Sequence, residues 1–331
     1  MASIRVSVGT AAVLKLLHCK QDALPTTAYT MIYSPKRCTA NCAFCAQARQ
    51  STAKANRLSR IAWPDFPVSK FIDGYKANQH ELPFQRICIQ TIYYTQLIED
   101  LGNLVQTFRS FLPQLPLSLA LPPLTRHQFQ YLYDLGVERV AVALDAATPE
   151  LFHNIKGPGV NGPFSWDKHN HALETALSIF GRYRTTTHLI IGLGETEFQT
   201  INLLQDLTDK GINVGLFPFT PITGTVLEHR PRPSLTQYRR IQIAYYLIRN
   251  RISSGSQMEF NRSRRQLTGF GISNELLDEI ISRETVFQTT GCPSCNRPFF
   301  TEEPRGPLYN YPQAPSASAL NEIRNQLGGI H

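Results

Sequence analysis

Three of the chain's seven cysteines fall within eight residues, in the run Cys38-Thr-Ala-Asn-Cys42-Ala-Phe-Cys45. Three thiolates that close together, with no local fourth, suggest an iron–sulfur cluster with one iron free for another ligand, since such clusters ordinarily take four Cys. The competing readings are a structural zinc site or buried free thiols. Zinc would want a fourth Cys or His at knuckle spacing, and the nearest His in sequence, His18, lies upstream on a separate segment.

A second pair, Cys292-Pro-Ser-Cys295, has the spacing of a metal-ligand turn, although C-x-x-C also serves redox exchange and zinc. The tail supplies no further Cys and only His331 beyond it. Cys19, isolated ahead of the first strand, becomes the third ligand if the N-terminal helix folds over the barrel near the tail. Cys19, Cys292 and Cys295 would then hold an auxiliary cluster, with a fourth contact from Ser294, Asn296, Arg297 or substrate. The rival for Cys19 is the commoner fate of a lone Cys, a small buried hydrophobe.

The elements that must position these residues alternate between short β-rich runs and longer amphipathic stretches from Thr26 onward, which argues for βα units around a parallel sheet. Six strands are expected, at Ala28–Tyr33, Arg86–Ile92, Leu117–Ala120, Arg139–Leu144, Thr186–Ile191 and Val214–Phe219. Between them, Gln96–Phe111, Arg126–Leu135, Asn170–Phe180 and Glu197–Asp209 repeat apolar residues at helical spacing, and Pro67 opens a helix at Val68–Lys76. Gly136 and Gly211 follow helical runs as C-cap positions. In the second strand, period two puts Cys88 on one face with Arg86 and Gln90; a core thiol is the simpler reading, a barrel-facing thiol the other.

Beyond Thr225 the pattern changes. Pro233–Arg249 reads as one long helix and Gln257–Phe260 as a short strand, while the rest of the tail is too rich in Pro, Gly and Asn to be another barrel unit. Ala314–Ser318 reads as a linker before a final short helix. The expected architecture is α/β: a partial (βα)6 TIM-type barrel with an N-terminal helix and an irregular C-terminal cluster-binding tail. Its parts are an N-terminal helical extension (1–25), the barrel (26–265) and a C-terminal extension (266–331). Active sites in such barrels sit at strand C-termini, and the first cysteine loop follows the first strand.

At 331 residues, 42% hydrophobic and 18% charged, the chain has the composition of an ordinary globular protein with a core of its own. No apolar run is long enough to span a membrane. Lys15 interrupts the apolar stretch before Cys19, and His18 precedes that Cys, so the stretch reads as a short helix rather than a secretion signal. Clustered cysteines that read as metal ligands place the chain in a reducing, cytoplasmic compartment. The net charge of +8 is scattered, with no nucleic-acid-binding signature, and suits an acidic carrier protein as well as it suits solubility alone.

The pattern C-x3-C-x-aromatic-C after an apolar strand resembles the radical S-adenosylmethionine (SAM) superfamily. The resemblance implies a [4Fe–4S] cluster on Cys38, Cys42 and Cys45 whose open iron chelates SAM, reductive cleavage to a 5'-deoxyadenosyl radical, a reducing electron donor, and Phe44 beside the adenine. Within that superfamily, Ala46-Gln-Ala-Arg after the cluster loop, the Cys in the second strand, Leu144-Asp145, Phe152-His-Asn-Ile155 and Ile191-Gly-Leu-Gly-Glu195 resemble biotin synthase over roughly 26–265. By that likeness Asp145 holds the SAM ribose and Asn154 falls in the matching segment after it. His169 lies near the position of an Arg to the SAM carboxylate, with Lys168 a neighbouring candidate, and Gly192 and Glu195 belong to a turn approaching SAM. Cys88 matches the first of three Cys that, with an Arg, hold biotin synthase's barrel cluster. The other two should fall near Ser118–Leu121 and near Thr186, where this chain has no Cys, and the Arg position reads close to Glu259.

The tail Thr290-Gly-Cys-Pro-Ser-Cys-Asn-Arg-Pro-Phe-Phe, followed by Gly-Pro-Leu-Tyr-Asn-Tyr-Pro, resembles the biotin-synthase-like subunit of the two-component lipoyl synthase. That resemblance implies an auxiliary [4Fe–4S] cluster serving as sulfur donor, a second radical SAM subunit as partner, and an octanoylated lipoyl carrier domain as substrate. Sulfur insertion into dethiobiotin, a radical SAM enzyme of cofactor biosynthesis with an electron-transfer auxiliary cluster, and a non-catalytic Fe–S carrier are the alternatives.

Overall fold

A computed structural model describes residues 3–327; His331 and the other end residues of the two terminal segments lie outside that range. Six parallel strands form the body of one sheet: β2 (Ala28–Ile32), β4 (Ile87–Gln90), β5 (Leu117–Leu121), β6 (Arg139–Val142), β7 (Thr185–Ile191) and β8 (Asn213–Pro218). They are the six expected from sequence, each displaced by no more than two residues at either end. The sheet gains two antiparallel strands that the sequence did not announce, β1 (Ser3–Val6) and β3 (Asp65–Pro67), and its order is β8-β7-β6-β5-β4-β2-β1-β3. The segment expected as an N-terminal helical extension therefore carries a strand of the sheet ahead of its helix. Among the described residues no ladder joins β8 to β3, and the barrel they form is partial.

The helices follow from local chemistry. Among the first six, α1 (Val8–Val13) is short, and α2 (Val68–Asn78), α3 (Leu97–Phe111), α4 (Arg126–Asp134), α5 (Pro149–Ile155) and α6 (Trp166–Phe180) follow. Leu97, Leu101, Leu104, Val105 and Phe108 of α3 are buried at three- and four-residue spacing, one stripe laid against the sheet. α7 (Glu197–Lys210) opens with a capping box between Thr196 and Gln199, and it stops at Gly211, whose φ of 81° is the left-handed cap conformation that glycine adopts without cost. α8 (Leu235–Arg249), α9 (Asn274–Ile281) and α10 (Ala317–Leu327) complete the helices; α10 packs on α8. Among the described residues no helix is long and apolar enough to cross a membrane.

Alternation along β4 divides its side chains between two environments. Ile87 and Ile89 are fully buried toward the helices, while Cys88 and Gln90 turn to the barrel interior, where both line its cavity.

Candidate functional site

The loop after β2 carries Cys38, Cys42 and Cys45 at the C-terminal end of the strands. Buried side chains hold its shape. Asn41 donates to Gln50 (2.8 Å) and to the Val160 carbonyl (2.6 Å), and Gln47 donates to the Ala55 carbonyl (2.8 Å). The turn after β8, Thr220–Thr225, leans on the same loop: Thr52 N donates to Gly224 O at 2.9 Å.

Two of the three sulfurs receive backbone N–H groups. Tyr93 N lies 3.1 Å from Cys38 Sγ, and Gln47 N lies 3.4 Å from Cys45 Sγ. Burial pushes the Cys45 thiol up to about 12 and raises Cys38 and Cys42 as well. Thiolates at this loop therefore need a cation beyond those the protein supplies. An all-sulfur donor set that is half-buried and approached by N–H groups fits the soft, thiolate-held iron of an Fe–S cluster.

Inside the barrel an apolar-walled cavity of about 190 Å³ runs from this loop to the opposite end. Phe44, Cys45 and Asp145 line its upper part. Asp145 takes φ 66°, bridges to Leu189 of β7, and meets the Lys156 ammonium at 2.6 Å. Lys156, just past the end of α5, was not singled out by sequence; only the fold brings it beside Asp145.

The lower part is closed by the tail. Ser294 O accepts from Thr26 Oγ1 (2.7 Å) and Thr27 Oγ1 (2.8 Å), and Arg86 Nε donates to Pro293 O (3.1 Å). Ser294, Arg297 and Phe299 all hold positive φ, at 62°, 36° and 58°, a backbone region that costs residues with side chains energy. The result turns Cys292 and Cys295 into the barrel's N-terminal mouth. Thr186 Oγ1 lies 3.9 Å from Cys292 Sγ, Tyr29 Oη lies 3.5 Å from Cys295 Sγ, and Arg297 Nη1 lies 3.4 Å from the same sulfur. Arg297 also stacks over Phe217, 4.1 Å from the ring centroid. Burial alone would depress its guanidinium, but Cys295, Tyr29 and Tyr238 outweigh burial and raise it.

The remaining sequence candidates are not all brought to this cavity. Cys19 is exposed, with its thiol on the Lys20 carbonyl; helix α1 ends at Val13 and the chain turns at Lys15, and Cys19 sits on a surface loop outside the cavity that Cys292 and Cys295 line. Asn154 is exposed on α5. His169 is buried between the rings of Phe152 (4.8 Å) and Phe164 (5.0 Å), and burial, then Lys156, pushes its pKa down to about 2, so it is neutral and offers no charge to a carboxylate. Lys168 is exposed. Gly192 has φ 104°, and the Glu195 carboxylate is spent on its own turn, accepting from Gly192 N (2.6 Å) and Leu193 N (3.0 Å).

No protein-family model and no curated protein matches the sequence. Solved structures do match in fold. Methylornithine synthase (PylB) is 16% identical with a TM-score of 0.51, covering 73% of this chain and 66% of that one. HydG, a maturase of the [FeFe]-hydrogenase, is 10% identical with a TM-score of 0.53, covering 72% of this chain and 53% of that one. The chain thus spans less than two thirds of the length of either. At these identities the likeness is one of fold, and the fold shared is the partial α/β barrel.

Proposed function

We propose that this chain is a radical SAM sulfurtransferase that inserts sulfur at an unactivated C–H of a protein-bound octanoyl chain, acting with a second radical SAM subunit in lipoyl synthesis. The observation that carries this reading is the pair of cysteine sets facing one apolar cavity from opposite ends, Cys45 above and Cys292 and Cys295 below. A substrate carbon held between them would have a radical source on one side and a sulfur source on the other. The motif on Cys38, Cys42 and Cys45, set in a fold shared with methylornithine synthase and HydG, supports the SAM-cleaving half. The tail motif supports the sulfur half.

Bound at the upper loop, a [4Fe–4S] cluster with SAM would supply a 5'-deoxyadenosyl radical, and an auxiliary cluster on the tail cysteines would supply sulfur. The chain's own residues do the rest. Cys38, Cys42 and Cys45 ligate, and the N–H groups of Tyr93 and Gln47 stabilise sulfur charge. Phe44 would flank the adenine and Asp145 the ribose, with Lys156 paired to Asp145 at 2.6 Å. Leu119, Ile190 and Phe217 give the cavity an apolar wall suited to an alkyl chain, and tail residues Cys292, Cys295 and Arg297 line its lower part. An octanoylated carrier domain and a reducing electron donor complete the system.

Incubation with SAM, a low-potential reductant, the partner subunit and an octanoyl-lysyl peptide tests the reading by mass spectrometry. Thiolated peptide formed only when all four are present is the expected result. Deoxyadenosine released without any thiolation would leave a radical SAM enzyme acting on another substrate, and no deoxyadenosine under any condition would remove the enzyme reading.

A further inference from the structure

We infer that the third cysteine of the tail cluster is Cys88, on the second parallel strand of the barrel, and not Cys19. The inference rests on the sulfur-donor reading and says which residues of this chain would build its site.

Three observations converge. Cys88, Cys292 and Cys295 line the same lower cavity, although 204 residues separate the first from the second, whereas Cys19 is exposed on a surface loop with its thiol turned to the Lys20 carbonyl. Each of the three sulfurs has a polar side chain of its own: Gln90 Nε2 is 3.1 Å from Cys88 Sγ, Thr186 Oγ1 is 3.9 Å from Cys292 Sγ, and Arg297 Nη1 is 3.4 Å from Cys295 Sγ. Thiols packed merely as hydrophobes would face apolar neighbours. Finally, the tail is fixed in place by the residues that flank Cys88 on the sheet: Arg86 holds the Pro293 carbonyl and Ser118, and Thr26 and Thr27 hold Ser294.

Three thiols around a shared cavity, drawn from a barrel strand and from the tail, suit a polynuclear cluster, whose cysteines sit on different irons.

The structure further separates the residues considered for the fourth contact. Ser294 Oγ is exposed and bonded to Gln85, and the Asn296 amide is tied to Leu24 O (2.8 Å) and Thr26 N (3.1 Å). Arg297 alone of these reaches the cavity. It serves as the cation beside the thiolates, which leaves the fourth position to an exogenous or substrate ligand.

The test removes the upper cluster first. A Cys38→Ala/Cys42→Ala/Cys45→Ala background, reconstituted anaerobically with iron and sulfide, is expected to bind about four irons per chain. Adding Cys88→Ala should lower iron and labile sulfide at least twofold and change or abolish the low-temperature electron paramagnetic resonance signal of the reduced protein; adding Cys19→Ala should change neither. Cys88→Ser, which keeps an oxygen at the position, should retain iron with a shifted signal, and thermal melts of the apo variants within a few degrees of the background show that the fold is intact. Cys19→Ala losing the cluster while Cys88→Ala keeps it overturns the assignment and leaves the sulfur-donor reading standing. A background that binds no iron overturns that reading itself.

Discussion

The ammonium of Lys156 lies 2.6 Å from Oδ2 of Asp145, with both side chains almost fully buried beneath the cysteine loop. A buried carboxylate is tolerated only with its charge compensated, so the pair sets the electrostatics of the upper cavity. Removing one partner strands the other. Lys156→Met should therefore destabilise the apo protein by about 3–5 kcal/mol, and Asp145→Asn in that background should recover part of the loss. Denaturant midpoints measured under anaerobic conditions check this; a Lys156→Met change within about 1 kcal/mol of the parent would show that the pair is not coupled as the geometry requires.

His169 gives a prediction about acid stability. Its pKa falls from 6.5 in the unfolded chain to about 2 in the folded protein, because burial and then Lys156 disfavour the charged ring. A depressed native pKa means that the unfolded state binds the proton first, so the stability owed to neutral His169 is complete above pH 6.5 and is lost as pH falls below it. His169→Leu should flatten this part of the profile between pH 6.5 and 4, measured as the difference in unfolding free energy from the parent. Identical slopes for the two proteins would contradict the assignment of His169 as a neutral core residue.

What was legible in the sequence was local. The six parallel strands and their intervening helices follow from apolar period and capping residues, and the Cys38–Cys45 loop from spacing alone. The lower end of the cavity was illegible for a physical reason: Cys88 lines one cavity with Cys292 and Cys295 where Thr26, Thr27 and Arg86 hold the carbonyls of Ser294 and Pro293 across more than two hundred residues. No periodicity encodes such a contact. One signal was present in part, since period two puts Cys88 on the same face of its strand as Arg86 and Gln90. Cys19 lies on the surface beyond a left-handed turn at Lys15 that nothing in the residue type announces. Lys156 went unremarked for a similar reason, as its partner lies eleven residues away around a helix.

Gly224 is a place where one methyl group should be felt. Its φ is 85°, and a Cβ there would strike the backbone of Thr52 and Ala53 just beyond the cysteine loop. Gly224→Ala combines left-handed strain with a steric clash and should cost about 1–3 kcal/mol. The displacement would also loosen the loop that presents Cys45. Faster iron release to a chelator from the upper site, with the tail variants as the comparison, is the readout; unchanged release alongside unchanged stability would show that the turn after β8 does not brace that loop.

Tyr29 tests how the tail is seated. It is buried on the first parallel strand, and its hydroxyl accepts from Arg297 N at 2.8 Å, lies 3.5 Å from Cys295 Sγ, and belongs to a ring packed 4.9 Å from Phe300. Tyr29→Phe keeps the ring contact and deletes the hydroxyl, so that the part-buried Arg297 N–H loses its acceptor and Cys295 Sγ loses its donor. The cost should be about 1–3 kcal/mol, the penalty of one unsatisfied donor. Because the tail is anchored at several other points, that loss should appear locally: faster amide hydrogen exchange over residues 290–300 with protection of β4 and β5 unchanged. Uniformly faster exchange through the barrel would mean that Tyr29 supports the global core and that the tail is not a separately opening unit; no change anywhere would mean that the hydroxyl does not hold the tail.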